Sequence, residues 1–212
     1  WKVRTWDVDG QASEYSEPAK WEMGLLSEKD WKARWMAATP PDPESDADPP
    51  GWTQGNWVWH PSERGNAPVH LRRAFDLPEG EVSAARIRCT ADNAFTLYVN
   101  GEEVGSGDDW GTVYDFRVEG KLRPGSNVLA VRARNEGGPC GFRLGMRVDV
   151  EGSEAIWIIS DESWLSQVSE EPGWETLAHE TGGWQEAAVL GGYGCAPWGT
   201  GGPSQPVSYT HL

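Results

Sequence analysis

RCTADNAFTLYVNGEEVGSGDDW, residues 88–110, holds two short strands joined at Asn100-Gly101. Phe95, Leu97 and Val99 alternate with Thr96 and Tyr98, the period-two pattern of a strand that buries one face. Asn-Gly supplies the positive φ values that a type I′ turn requires. A chain that rises through 95–99 and returns through 102–104 leaves 91–94 and 106–111 together, at the end of the sheet opposite the turn. Asp92, Asn93, Asp108, Asp109 and Trp110 therefore fall in one patch the size of a binding site.

Outward from this hairpin, 69–75, 83–89, 113–118, 128–134, 142–150 and 155–160 read as further strands, spaced as in an antiparallel sandwich. Turn pairs Asp9-Gly10, Pro124-Gly125 and Glu151-Gly152 punctuate the apolar runs, and 14 Trp and 26 Gly stand against 3 Met. The fold class expected is all-β, an antiparallel β-sandwich. Counting strand directions from the hairpin sends 113–118 up and 128–134 down. The loop 135–141, with Asn135, then joins Asp92 and Asp108 at one end, so three loops converge.

A chain of 212 residues holds one ordinary domain and part of another. Residues 1–24 read as two strands around Asp9-Gly10. In 25–51, Ser27-Glu28-Lys29-Asp30 has the form of a capping box that opens a short helix through Trp31 and Trp35. The Pro- and acid-rich stretch 39–51 is a solvated linker. The sandwich occupies 52–199. The tail 200–212 is expected to be disordered, and its last residues, 206–212, read as non-native, so the tail is left out of the fold.

A formal charge of −15 argues against nucleic-acid and anionic-membrane partners, which would have to overcome like-charge repulsion. Neutral polymers, sugars and cations stay open. No apolar run approaches the ~20 residues that span a bilayer. Of three cysteines, Cys89 shares a strand face with Ile87 and reads as a small core residue, and a Cys140–Cys195 bridge is the pairing left open.

Two readings compete at the three-loop end. Calcium takes six to eight oxygen ligands, and Asp92, Asp108 and Asp109 with Asn93 and Asn135 offer a calcium or sugar site. The alternative is a solvated loop whose Asp and Asn side chains make local turn hydrogen bonds. Trp110 either stacks on the apolar face of a sugar ring or plugs the sandwich end. Consecutive loop residues such as Asp108-Asp109 diverge, whereas an inverting glycosidase pair faces across about 6.5–9.5 Å. Trp57 and Trp59 read as packing residues. His60, His70 and His179 lack metal-ligand spacing and read as surface or locally bonded. Gly105-Ser106-Gly107 lacks the rest of a dinucleotide fingerprint, and no Ser-His-Asp or Cys-His constellation is present.

Taken in order, WKVRTWDVDG (1–10), SEYSEPAKWEMGLLSEKDWKARWM (13–36), HLRRAF (70–75), LYVNGEEVG (97–105), YDF (114–116) and LRPGSNVLAVRARN (122–135) resemble the N-terminal accessory region of bacterial α-L-rhamnosidases. The resemblance covers nearly all of the chain short of its tail. It implies the last strands of a fibronectin type III-like domain over 1–24, followed by a galactose-binding-like jelly roll. It also implies a secreted, periplasmic or cell-surface parent enzyme whose catalytic carboxylates lie on a downstream (α/α) barrel, none of them at a position here. Some such jelly rolls bind a terminal sugar with the help of calcium. The expected function is thus a non-catalytic module that binds a rhamnose-like carbohydrate or positions the catalytic domain, its partner in the same chain. Trp184, Ala187, Leu190-Gly191, Tyr193-Gly194 and Pro197-Trp198-Gly199 also look like the closing segment of jelly rolls in large bacterial surface proteins. That likeness carries the alternative, a structural or protein-interaction module.

Overall fold

The computed structural model describes residues 1–20, residues 50–199 and, as backbone, Val207–Ser208. They fall in two units, Trp1–Pro41 and Asp42–Leu212. The helix expected through Trp31 and Trp35 and nearly all of the linker lie outside the described residues.

In the first unit the Asp9-Gly10 pair turns the chain as its sequence requires. The Asp7 carboxylate accepts the N–H groups of Asp9 (2.9 Å) and Gln11 (2.8 Å), and Gly10 takes φ +79°. The two arms then pair: Ser13 N donates to Thr5 O (2.8 Å), Ser16 N to Val3 O (2.8 Å) and Ala19 N to Trp1 O (2.9 Å).

The second unit opens with a one-turn helix α1 (Pro50–Gln54). Twelve strands follow to its end at Gly199: β1 (Trp57–Trp59), β2 (Val69–Leu77), β3 (Val82–Asp92), β4 (Ala94–Val99), β5 (Glu102–Gly107), β6 (Tyr114–Arg117), β7 (Gly125–Arg134), β8 (Gly141–Val150), β9 (Ile156–Ile159), β10 (Leu165–Gln167), β11 (Gln185–Glu186) and β12 (Ala188–Gly191). Among the described residues they form two sheets. One runs β12-β1-β8-β3-β6 with β9 beside β8, the other β11-β10-β2-β7-β4-β5, and all these pairs are antiparallel. Val207–Ser208 (β13), which the sequence reading leaves out of the fold, lies parallel to β6.

The sandwich is therefore the expected one, and its core is the set of alternate positions that face between the sheets. Ile87, Cys89, Leu97, Val99, Leu129, Val131, Phe142, Leu144 and Met146 are all fully buried there. Trp57 and Trp59 are buried as expected of packing residues. The three cysteines are free thiols, so the Cys140–Cys195 bridge is not formed. Burial pushes the Cys89 thiol well up, which fits a core residue.

At the turn end two sequence motifs close on each other. Asn100 and Gly101 take φ +52° and +88°, the type I′ signs. The Asn100 amide donates to Asn127 Oδ1 (2.9 Å) and Lys121 O (2.8 Å), and its oxygen accepts Val128 N (2.9 Å). Asn127 in turn donates to Arg123 O (2.7 Å) and Gly125 O (2.9 Å). The Asn-Gly hairpin and the Pro-Gly-x-Asn turn are thus one hydrogen-bonded unit.

Residues 168–184, between β10 and β11, cover half of the second sheet's outer face. Arg72 reaches from β2 to the carbonyls of Thr176 (2.6 Å) and His179 (2.8 Å). Trp174 stands edge-on to His70 (4.6 Å) and Tyr98 (5.7 Å) and stacks on Trp184 (6.4 Å). His70 is consequently 1% exposed and held below its usual value, chiefly by burial, so of the two readings its sequence left open, surface or locally bonded, the first does not hold.

Candidate functional site

The end of the sandwich opposite the Asn100-Gly101 turn is set by three registers. Asp92 pairs with Gly141, Ala94 with Arg134, and Phe95 with Gly107, so the loops after β3, β5 and β7 meet there. The β3–β4 and β7–β8 loops are tied directly: Asn93 N donates to Arg134 O (3.0 Å), and Glu136 N donates to Asn93 Oδ1 (2.6 Å).

Within that end the expected site residues do different things. Asp92 is 6% exposed and accepts the Trp198 Nε1–H (2.8 Å). Trp198 itself stacks on Trp57 with ring centroids 4.2 Å apart. Gly141 permits this: a Cβ there would stand 2.8 Å from Trp57 Cε3 and 3.0 Å from Trp198 Cζ2. Asn135 is 1% exposed, donating to Arg64 O (3.0 Å) and accepting Gly137 N (3.0 Å). The Asp109 carboxylate folds its own loop by accepting Gly111 N (2.9 Å) and Thr112 Oγ1 (2.7 Å). Asp109 and Asn135 thus make local turn hydrogen bonds, whereas Asp92 is bonded across the unit to Trp198.

Asp108, Trp110 and Asn93 face outward to different degrees. Tyr114, buried in the sandwich, accepts the N–H groups of Asp108 (3.1 Å) and Asp109 (3.2 Å) on its phenol oxygen, and Thr90 Oγ1 donates to Trp110 O (3.1 Å). The loop backbone is thus held on both sides while the Trp110 side chain stays out, the residue being 43% exposed. Asp108 is exposed and Asn93 half-buried. An exposed indole on a loop held through its backbone, with a carboxylate and an amide at the same end of the sandwich, has the groups to stack on one face of a sugar and hydrogen-bond its hydroxyls. It offers no opposed acid pair for glycoside cleavage, since Asp108 and Asp109 are adjacent and Asp109 is engaged by its own loop.

Asp92 is bonded to Trp198 and Asp109 to its own loop, while Asp108 is exposed. Among the described residues no group of three or more His, Cys, Asp or Glu side chains is arranged to hold a metal ion. Sequence reasoning also missed a neighbour of this end, Trp198, whose only sequence signal is its place in a Pro-Trp-Gly closing segment.

Burial raises the Asp92 carboxyl above the usual carboxylate range, partly offset by the Trp198 N–H. The folded chain then holds that proton more tightly than the unfolded chain, so stability falls as pH rises from about 4 through the raised value. Asp92→Asn keeps an oxygen for Trp198 and removes the titration. The variant is expected to gain on the wild type as pH rises across that window in urea denaturation, and a difference constant with pH would contradict the assignment.

Residues 1–27 match the family described as the Rha78A-like N-terminal immunoglobulin domain. An α-L-rhamnosidase of Streptomyces avermitilis is 34% identical over 217 aligned residues, which take in 96% of this chain and 20% of the enzyme. The crystal structure of an S. avermitilis α-L-rhamnosidase complexed with L-rhamnose superposes with a TM-score of 0.70 at 32% identity, over 96% of this chain and 20% of that one. A lectin of Pleurotus ostreatus in complex with GalNAc gives 0.65 at 27% identity, over 69% and 44%. The chain is similar to the N-terminal region of α-L-rhamnosidases along nearly its whole length and spans about one fifth of the first of them.

Proposed function

We propose that this chain is a non-catalytic accessory module of a secreted α-L-rhamnosidase-like glycoside hydrolase, and that its three-loop end holds a rhamnose-like terminal sugar. The observation that carries this reading is the Trp110 loop: its backbone is held by Tyr114 and Thr90 while the residue stays 43% exposed beside exposed Asp108. An exposed indole on a loop held through its backbone suits stacking on the apolar face of a sugar ring. Similarity to a rhamnosidase complexed with L-rhamnose and to a lectin complexed with GalNAc supports a sugar as that partner. The catalytic barrel would belong to the remaining four fifths of such an enzyme.

A second reading, a module that only positions its neighbours, is favoured by Asp92, Asp109 and Asn135, whose polar groups are already engaged within the fold.

Calorimetric titration with L-rhamnose, first with calcium and then with chelator, separates the two readings. Saturable heat is expected, with affinity lowered about tenfold in Trp110→Ala and in Asp108→Ala, as loss of a stacking or charged hydrogen-bond contact predicts. Loss of binding in chelator would add calcium to the site. No heat with any terminal sugar would leave the positioning role.

A further inference from the structure

We propose that the cavity on the β5 side of the second sheet is a groove for the neutral sugar residues that follow the terminal one. This rests on the terminal-sugar reading above and extends it from a monosaccharide to an oligosaccharide.

Residues 168–184 cover the sheet's outer face over His70, Arg72 and Tyr98 and reach the β4–β5 turn at Gly101. What they leave open is a cavity of about 860 Å³, with Thr96, Glu103, Ser106, Asp108, Arg132 and Arg134 in its lining. Register explains why these groups stand together. Ser106, Thr96 and Arg132 are direct cross-strand partners on β5, β4 and β7, so their side chains share one face, and Arg134 follows two residues along. Gly105 and Gly107 face the other way, toward the core, and let β5 lie against the Tyr114 and Phe116 rings, so the cavity runs from the outer face round the β5 edge to those rings. A Cβ at Gly105 would stand 2.5 Å from Phe116 Cε1, and one at Gly107 2.4 Å from Tyr114 Cε2.

Length, continuity and charge choose the occupant. The groove contains Asp108, which also belongs to the three-loop end, and β5 from Glu103 to Asp108 spans about 16 Å at the usual strand rise, room for more than one sugar ring. Its size is that of ordinary ligand clefts. Hydroxyls, guanidinium forks and carboxylates pair with vicinal sugar hydroxyls, and the ring edges suit sugar C–H faces. Arg132 already meets Glu170 (3.5 Å) and Arg134 meets Glu136 (2.6 Å), while Glu103 and Asp108 add two further acids. Two cations among four acids disfavour uronate or sulfated sugars and leave a neutral chain.

The test titrates the whole chain with L-rhamnose, with a neutral rhamnose-terminated oligosaccharide and with its uronate-containing counterpart. Thr96→Trp and Ser106→Trp each fill the groove from an outward-facing strand position, and circular dichroism checks that each variant is folded. The neutral oligosaccharide is expected to bind about tenfold tighter than L-rhamnose, and both variants to erase that advantage while L-rhamnose binding is unchanged. Equal affinities, or folded variants without effect, would overturn the groove and leave the terminal-sugar reading standing. Oligosaccharide binding that depends on the groove without any L-rhamnose binding would overturn the terminal-sugar reading and keep the groove. Preference for the uronate chain would overturn the assignment to neutral sugars, and binding of none of the three would overturn both proposals.

Discussion

Trp164→Ala is expected to cost the sandwich about 3–5 kcal/mol, the usual range for removing a fully buried tryptophan. Trp164 is 0% exposed and stands where the chain leaves β9 of one sheet for β10 of the other. Its indole N–H donates to Ile159 O (2.8 Å), its carbonyl accepts Ala187 N (2.8 Å), and its ring packs 5.8 Å from that of Phe142. The substitution removes the ring, empties its place between the sheets and leaves the Ile159 carbonyl without that donor. Urea denaturation followed by far-ultraviolet circular dichroism measures the loss; less than about 1 kcal/mol would mean that the crossing is not held here.

Asn127→Leu is expected to cost about 3 kcal/mol, by a different mechanism. The residue is 0% exposed, and its amide donates to Arg123 O and Gly125 O while its oxygen accepts Arg123 N (3.1 Å) and Asn100 Nδ2 (2.9 Å). Leucine is close in size but satisfies none of these partners, and each buried group left unpaired costs about 1–3 kcal/mol, with overlap among neighbours. Asn127→Asp, which keeps the acceptors and loses the donors, should fall between the two. If leucine is tolerated within about 0.5 kcal/mol, the turn is not organised by this side chain.

Much of this fold was legible because one physical signal, period-two alternation between turn residues, dominates it. Phe95-Leu97-Val99 bury one face, and the strands around 69–75, 128–134 and 142–150 lie where the sequence places them, although parts of these three are buried on both faces. The meeting of three loops followed from strand direction alone. The strands β10, β11 and β12 were not legible, since 165–167, 185–186 and 188–191 are too short to show a period. Nor was the burial of His70 and Arg72. Alternation assigns them to the outer face, and only the irregular segment carrying Trp174 and Trp184 decides that this half of the face is covered.

The site divided along similar lines. Sequence brought Asp92, Asn93, Asp108, Asp109, Trp110 and Asn135 to one end, but the direction of each side chain depends on partners distant in sequence. Asp92 shares its strand face with Arg88 and Thr90, all of them buried, and Trp198 returns from the far end of the unit to bond it. Asn135 turns toward Arg64 O, in the loop between β1 and β2. The family matched by residues 1–27 is described as an immunoglobulin domain, where the sequence resemblance implied a fibronectin type III-like one.

The account stands or falls on whether a sugar covers Trp110, and the indole N–H resonance of that residue in an amide-correlation NMR spectrum reports it directly. The other thirteen of the fourteen indoles give reference signals from the same molecule, and Trp110→Phe assigns the one that matters. With L-rhamnose added, the Trp110 indole and the backbone amides of Asn93 and Asp108 should shift and saturate together while the buried Trp57, Trp59 and Trp164 indoles stay in place. A Trp110 signal unmoved at saturating sugar, or shifts confined to another part of the sandwich, would contradict binding at the three-loop end.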